Sequence, residues 1–206
     1  EQDMLALHTI PDAFSIVECK HIVAALANVA RQDALLVGQT QSHELRKAEL
    51  VWIDDVAELD WVMDRLIDVV RRCNSATFDF DLREFAESPQ VATYKASANG
   101  HFGWHSDIGA GQAASKRKLT LVLQLSEPSS YAGGDLEIMP AAQVVLASRA
   151  QGCVSIFPSF SLHQVTPIQT GTRHSLTVWA HGPAFRFLSL LSTIRNRRQA
   201  RFQDGQ

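Results

Sequence analysis

Four residues of the chain could together bind a metal ion and an anionic ligand. His105 and Asp107 are separated by one residue, His163 follows much later, and Arg173 comes ten positions after His163. Two imidazoles and one carboxylate form the two-His-one-carboxylate facial triad, which leaves positions open for substrate and oxygen on non-haem Fe(II). The sequence therefore indicates a candidate iron site with open coordination positions.

β-Strands would position the metal ligands. Alternate residues of a strand share a face, so His105 and Asp107 can point to one side while their neighbours point away. His163 follows an apolar segment at residues 154–157 and a turn that contains Pro158, so it begins a new strand. We expect the end of that strand to meet the His105–Asp107 pair.

Arg173 begins a strand that has two chemically different faces. One face is polar or aromatic and the other is largely apolar: the first carries Arg173, Ser175, Thr177 and Trp179, and the second carries His174, Leu176 and Val178. An unpaired charge inside a barrel is costly. Since this strand has no carboxylate of its own, we expect the Arg173 guanidinium to bind a ligand carboxylate through two hydrogen bonds. Ser175 could donate one more.

The elements that must hold these residues are two helices followed by many short strands. Apolar periodicity predicts helices over residues 13–30, capped by Asp12 or Ser15, and 58–73, ending near Asn74. Short strands are predicted at 35–37 and 50–53, and alternation begins at 78–82. Eight further strands are predicted at 90–96, 101–105, 118–125, 134–139, 144–147, 154–157, 162–167 and 173–180.

This order of elements predicts a mainly β fold, a jelly roll with the N-terminal helices packed outside. We expect one domain over residues 1–206, with a helical part at about 11–75 and a jelly-roll core at about 78–183. The tail, 184–206, contains an apolar segment that predicts a helix docked on the barrel. The other histidines in the strand region, His101, His174 and His181, are interpreted as rim or structural residues.

Composition narrows the class of partner and the compartment. The chain has 46% hydrophobic residues, 20% charged residues and a formal net charge of -3, so we expect neither nucleic acid nor a membrane as partner. The basic clusters at 116–118 and 195–201 are interpreted as solvated faces. Cys19, Cys73 and Cys153 show no paired spacing, so they predict buried free thiols and a cytoplasmic protein. The first residues show no signal peptide.

Five ordered sequence blocks resemble one enzyme family. The blocks are residues 104–107 (WHSD), 117–126 (RKLTLVLQLS), 131–136 (YAGGDL), 157–167 (FPSFSLHQVTP) and 173–175 (RHS). In this order they resemble the Fe(II)- and 2-oxoglutarate-dependent dioxygenases, and most closely the prolyl 4-hydroxylase and lysyl hydroxylase-like branch with its bacterial PKHD-type members. The resemblance spans residues 90–183 and implies a cupin-like double-stranded β-helix.

The resemblance also implies roles for single residues. His105, Asp107 and His163 become the iron ligands, and Arg173 pairs with the distal carboxylate of 2-oxoglutarate. Gln124 stands where many relatives have a tyrosine that binds the same carboxylate. Further residues are expected to bind the cosubstrate or to line the substrate pocket: Tyr94 and Ser175 for the first role, Thr177 and Trp179 for the second. Tyr94 and Trp179 as plain core aromatics are the alternative.

The implied reaction is hydroxylation of an unactivated C–H bond, with succinate and CO2 as co-products. Fe(II), 2-oxoglutarate and O2 are the expected cofactor and cosubstrates, and ascorbate is a candidate reductant. The substrate would be a peptidyl or free amino acid of the prolyl or lysyl type, or a related small molecule. We expect the loops at 32–47 and 108–117 to form its pocket.

Two other functions fit the metal ligands. A cupin-like metal-binding sensor or storage module would explain the histidines and the aspartate, but it gives no reason for an inward Arg173. A zinc hydrolase would need a general base, and no HExxH glutamate is present. A change in the visible absorption of the anaerobic Fe(II) protein on addition of 2-oxoglutarate would distinguish the oxygenase from the sensor.

Overall fold

The computed structural model describes residues 7–33 and 45–185. Helix α1 spans Ile16–Ala25 and helix α2 spans Asp60–Cys73. The first seven strands are β1 (His8–Ile10), β2 (Gln32–Asp33), β3 (Arg46–Lys47), β4 (Glu49–Trp52), β5 (Gln90–Lys95), β6 (His101–His105) and β7 (Arg117–Gln124). The others are β8 (Tyr131–Gly133), β9 (Leu136–Met139), β10 (Val145–Leu146), β11 (Val154–Pro158), β12 (Leu162–Val165) and β13 (Ile168–His181).

The strands form two antiparallel sheets. The larger sheet has the order β1-β11-β7-β13-β5-β4-β2, and β8 also pairs with β13. The smaller sheet has the order β10-β9-β12-β6-β3. Neighbouring strands are often distant in sequence, as expected when a chain winds between two sheets. The fold is therefore a jelly roll of the double-stranded β-helix type, which confirms the predicted fold class.

The helices cover the outer face of the larger sheet, as predicted. Leu119, Leu121 and Leu123 of β7 are at most 1% exposed and belong to one buried cluster with Val62 and Leu66 of α2. Ser15 caps α1 in a reciprocal arrangement, in which its side chain accepts from the Glu18 N–H and its own N–H donates to the Glu18 carboxylate. Neither helix of the described ranges combines the length and apolar character that a bilayer crossing requires.

A second buried cluster lies between the two sheets. It contains Ala92 and Val122 from the larger sheet and Ile138 and Val165 from the smaller one. The alternating side chains of β7 thus serve both cores, with Leu121 facing the helices and Val122 facing the other sheet. The interior between the sheets is where inward-facing polar residues of the strands must meet.

Several predicted elements differ from the structure. The alternation at 78–82 does not form a strand, because the chain continues from α2 into one π-helical turn, Asn74–Phe78, and then takes a left-handed conformation at Asp79 (φ 53°). The Asn74 side chain fixes this bend through hydrogen bonds with the backbone N–H and C=O of Phe80. In the N-terminal part, β4 corresponds to the strand predicted at 50–53, whereas β1, β2 and β3 are strands that the sequence pattern does not predict. The predicted strand at 35–37 and tail helix at 184–203 lie outside the described residues, apart from 184 and 185.

Candidate active site

The register between β6 and β12 brings the two predicted metal-binding histidines together. These strands are antiparallel neighbours, and His163 lies directly opposite His105. Asp107 follows the end of β6, where its N–H donates to the Ser159 carbonyl at 2.9 Å. His105 Nε2 is 3.6 Å from Asp107 Oδ1, and His163 Nε2 is 3.5 Å from Asp107 Oδ2. All three potential ligand atoms lie within 4.8 Å of one another.

Backbone carbonyls orient both imidazoles. His105 Nδ1 is 2.7 Å from the Gly103 carbonyl oxygen, and His163 Nδ1 is 3.0 Å from that of Ser161. Because a carbonyl can only accept, each Nδ1 carries a proton, and the neutral form of each ring would present its lone pair at Nε2. This is the tautomer that metal-binding histidines need, with the other ring nitrogen donating to a fixed acceptor.

Two donors hold the Asp107 carboxylate in place. Thr120 Oγ1 donates to Asp107 Oδ2 at 2.7 Å, and the Trp179 indole N–H donates to the same oxygen at 2.9 Å. Trp179 was predicted as a wall of the substrate pocket, and the structure adds this contact. Since Oδ2 accepts both bonds, Oδ1 keeps its full capacity to bind a cation.

The protonation states of the ligand set suit a divalent cation. Burial raises the pKa of Asp107, but the His163 and His105 imidazoles and the Thr120 hydroxyl outweigh it and hold the pKa below its usual range. Burial lowers the pKa of His163, which favours the neutral ring. A carboxylate anion and neutral imidazoles are the forms that coordinate metals. The described residues therefore fit a mononuclear iron site.

We predict that Trp179→Phe weakens metal binding, because the change removes one of the two donors that orient Asp107. Loss of a group that orients a metal ligand typically lowers affinity by ~10- to 100-fold. Equilibrium titration with Mn(II) measures the effect. Trp52→Phe is the control, since Trp52 lines the same cavity but makes no hydrogen bond to a metal ligand. Equal affinities for the two variants would contradict this role of Trp179.

Arg173 is buried without an acidic partner. Its side chain is 2% exposed, and no carboxylate of the described residues forms an ion pair with it. Its Nε donates to Gln124 Oε1 at 3.1 Å, and one terminal nitrogen donates to Ser175 Oγ at 3.3 Å. These neutral acceptors orient the guanidinium but leave its charge uncompensated. An anionic ligand would supply that charge.

Arg173 and the metal-binding residues open on one cavity. Its volume is about 670 Å³, within the range of ~300–1,000 Å³ found for small-molecule sites. The lining includes the predicted site residues His105, Asp107, His163, Arg173, Ser175, Thr177, Trp179 and Tyr94. Tyr94 pairs with Arg173 across β5 and β13, and its ring lies 5.7 Å from the guanidinium.

Gln124 does not line this cavity. Its amide nitrogen donates to the Tyr131 hydroxyl at 2.8 Å and to the Ser126 carbonyl at 3.2 Å, while its oxygen accepts from Arg173. The expected contact with a cosubstrate carboxylate would need a free donor, and both amide hydrogens are used. The structure thus places Gln124 behind Arg173, where it orients the guanidinium.

Arg117 lies at the site although its sequence context predicts a surface residue. The basic cluster at 116–118 predicts a solvated face, but Arg117 and Lys118 are only 7% and 6% exposed. Arg117 donates to the Asp107 backbone carbonyl at 3.0 Å and lies 3.8 Å above the Trp179 ring. Its charge is paired with Glu87. The available signal was the apolar run at residues 121–123 in the strand that Arg117 begins, because consecutive apolar residues indicate a strand that is buried on both faces.

The Glu87 carboxylate should make native stability depend on acid pH. Burial raises the pKa of Glu87, but hydrogen bonds from His181 and Arg117 lower it to about 2. A lowered carboxyl pKa gives stability that is present above about pH 4.5 and lost as the pH falls towards 2. We predict that the free energy of unfolding of Glu87→Gln falls less steeply over this range. Urea unfolding between pH 2 and 6 checks it, with exposed Glu58→Gln as control. Parallel curves for wild type and Glu87→Gln would contradict the assignment.

Among the described residues, the other histidines of the strand region, His101, His174 and His181, lie outside the cluster of His105, Asp107 and His163. His174 faces away from the cavity and is 3.0 Å from Thr93 Oγ1. Burial, with Arg31 and Lys95 nearby, lowers the pKa of His174 to about 4. His181 is fully buried and donates through Nε2 to Glu87, while its Nδ1 accepts from the Ala86 N–H. Both therefore have structural partners.

Comparison with known proteins shows which enzymes and folds the chain is similar to. Residues 89–181 match the model of the 2OG-Fe(II) oxygenase superfamily. The chain is 27% identical over 200 residues to PKHD-type hydroxylase NE2125 of Nitrosomonas europaea. This match covers 95% of this chain and 82% of that protein. It is 37% identical over 81 residues to a PKHD-type hydroxylase of Hyphomonas neptunium, a match that covers 38% of this chain and 36% of the relative.

Solved structures share the fold. A prolyl-4-hydroxylase of Pseudomonas putida superposes with a TM-score of 0.69 at 19% identity, over 87% of this chain and 94% of that one. A prolyl hydroxylase of Trichoplax adhaerens was solved in complex with a peptide fragment of the hypoxia inducible factor oxygen degradation domain. It superposes with a TM-score of 0.70 at 16% identity, over 85% of this chain and 83% of that one. The chain is therefore similar to the 2OG-Fe(II) oxygenase superfamily over residues 89–181 and to PKHD-type hydroxylases, and it shares its fold with prolyl hydroxylases.

Proposed function

We propose that the protein hydroxylates an unactivated C–H bond of an amino acid, peptidyl or free, or of a related small molecule, with 2-oxoglutarate converted to succinate and CO2. One observation carries the proposal: a His-Asp-His cluster, with Asp107 and His163 buried and His105 half-buried, opens on the same cavity as a buried arginine that has no acidic partner among the described residues. A metal-storage module has no use for such an arginine. An enzyme that binds a dicarboxylate beside the metal needs one.

Each residue of the site has a task in this proposal. His105, Asp107 and His163 would hold Fe(II), and Arg173 with Ser175 would bind the far carboxylate of 2-oxoglutarate. Ser175 Oγ accepts from Arg173, so its own proton is free to donate to that carboxylate. Tyr94 would pack beside the cosubstrate.

The iron, when bound, would supply the oxygen activation that cleaves the C–H bond. The protein fixes geometry and excludes water. Thr120 and Trp179 keep the Asp107 carboxylate in one orientation, and Gln124 does the same for Arg173. Thr177 and Trp179 line the cavity and would contact the substrate. A buried site strengthens these charged contacts, because little water competes with them.

The proposal also covers the cellular compartment, the reductant and the extent of the catalytic domain. All three cysteines are free and buried, which supports a reducing compartment such as the cytoplasm. Ascorbate is proposed as a reductant that keeps the iron ferrous. We also propose that residues 1–206 form one catalytic domain, which the packing of both helices on the larger sheet supports.

The test is succinate formation by the iron-loaded protein under oxygen. A panel of free amino acids and of short peptides that contain proline or lysine is added one at a time, and products are identified by mass spectrometry. A substrate should raise succinate formation and gain the mass of one oxygen atom. Protein loaded with Zn(II) instead of Fe(II) is the control. Absence of succinate from the iron-loaded protein, with and without candidates, would contradict the proposal.

A further inference from the structure

A second buried arginine, Arg46, also lines the cavity. It lies on β3, at the edge of the smaller sheet, whereas Arg173 belongs to the larger sheet. Its side chain is 9% exposed, and no carboxylate forms an ion pair with it in the part of the chain that the structure describes. Its Nε is buried and has no hydrogen-bond partner in that part. The roles proposed so far give this arginine no task.

Arg46 is stacked close to the metal-binding residues. Its guanidinium lies 4.5 Å above the Phe102 ring, its partner in the β3–β6 register. The Phe102 ring also stacks on the His105 imidazole, and the centres of these two rings are 3.5 Å apart. Phe102 thus contacts both the Arg46 guanidinium and the His105 imidazole, and these contacts hold Arg46 beside the proposed iron site. A group bound there would hold a molecule within reach of the metal.

The charges of the cavity indicate what Arg46 binds. Among the residues that the structure describes, five charged side chains line it: Arg46, Glu87, Asp107, Arg117 and Arg173. Glu87 is paired with Arg117. In the proposed complex the charges of Fe(II) and 2-oxoglutarate cancel, and those of Asp107 and Arg173 cancel. The positive charge of Arg46 then stays uncompensated, which is costly in a buried site.

We propose that the substrate carries a carboxylate and that Arg46 binds it, so that Arg46 determines specificity. This inference rests on the proposed function. A planar guanidinium suits a carboxylate because it can donate two parallel hydrogen bonds. Leu45, Leu50 and Trp52 line the same cavity and would contact an aliphatic part of the substrate. A free amino acid and the carboxyl terminus of a peptide both present this chemistry.

The experiment compares acids with their amides. Dissociation constants are measured by titration calorimetry on the full chain, without oxygen, with Mn(II) in place of iron and with saturating 2-oxoglutarate. The probes are L-proline and L-prolinamide, L-leucine and L-leucinamide, and N-acetylglycyl-L-proline and its amide. We expect at least one acid to bind roughly 10- to 100-fold more tightly than its amide, the usual worth of a charge-assisted bond. A preference for the acid in the proline or leucine pair would identify a free amino acid as the substrate. A preference for the acid only in the N-acetylglycyl-L-proline pair would identify the carboxyl terminus of a peptide.

Variants assign the preference to Arg46. Arg46→Gln should abolish it, and Arg46→Lys should retain part of it, because the charge remains without the planar fork. Lys47→Gln is the control: it removes the neighbouring charge of β3, which does not line the cavity, and should keep the full preference. Thermal melting checks that each variant is folded.

Three results would overturn the inference: no acid binds, acid and amide bind alike in every pair, or Arg46→Gln keeps the preference. Binding of 2-oxoglutarate is measured first in the same instrument. If 2-oxoglutarate does not bind, the proposed function fails. If it binds and any of the three results is obtained, only the substrate inference fails.

Discussion

Replacing His105 or Asp107 with alanine is expected to abolish succinate formation from 2-oxoglutarate, both with substrate and without it. The three potential ligand atoms lie within 4.8 Å of one another and would share one ion, so removing one ligand would leave a site with two. Divalent iron held by two side chains would be lost to solvent. Bound iron after desalting and succinate formation are the two measurements. Both should fall to background.

His101→Ala is the matched control for these variants. His101 lies on β6 with His105, four residues earlier, and does not belong to the metal-binding cluster. The control should keep stoichiometric iron and wild-type succinate formation. If His105→Ala or Asp107→Ala retained iron and turnover, the assignment of the ligands would be wrong.

Replacing Arg173 with alanine should weaken 2-oxoglutarate binding by at least ~30-fold, with bound iron unchanged. Truncating one partner of a buried charge pair usually costs ~2–5 kcal/mol. Arg173→Lys should give an intermediate loss, because the ammonium group retains the charge but cannot form two parallel hydrogen bonds. The dissociation constant of 2-oxoglutarate is measured by calorimetry on the Mn(II)-loaded protein.

The control for this series is Arg71→Ala, on the exposed face of α2, where the arginine side chain is 76% exposed. It should bind 2-oxoglutarate like the wild type. An unchanged dissociation constant in Arg173→Ala would remove the residue from the cosubstrate site. Loss of iron together with 2-oxoglutarate would instead show that Arg173 maintains the fold around the metal.

The candidate metal ligands could be predicted because five ordered sequence blocks resemble those of a known family, and strand periodicity, which is local, supports part of the set. A period of two places His105 and Asp107 on one face, and it places Arg173 and Ser175 on one face of β13. The structure places all four at the cavity. The tasks of Trp179 and Gln124 depend instead on partners 72 and 49 residues away, Asp107 and Arg173, and no local pattern records such a pairing.

The parts that the sequence did not reveal are short or irregular. β3 has two residues, too few for any period, so the sequence pattern predicts a loop at Arg46. The alternation at 78–82 has the period of a strand, but the side chain of Asn74 binds the backbone of Phe80 and holds the segment in a bend. Arg117 was assigned to the surface because three basic residues in sequence usually are solvated. Its burial depends on Glu87, which lies 30 residues earlier.

The most direct test of the central claim is the visible absorption of the anaerobic Fe(II) protein during titration with 2-oxoglutarate. The claim is that the His-Asp-His cluster holds iron and that 2-oxoglutarate binds to it with its far carboxylate on Arg173. A new visible band that saturates at one 2-oxoglutarate per iron, and that is absent from Asp107→Ala, is the predicted result. A spectrum that does not change when 2-oxoglutarate is added to the iron-loaded protein would contradict the claim.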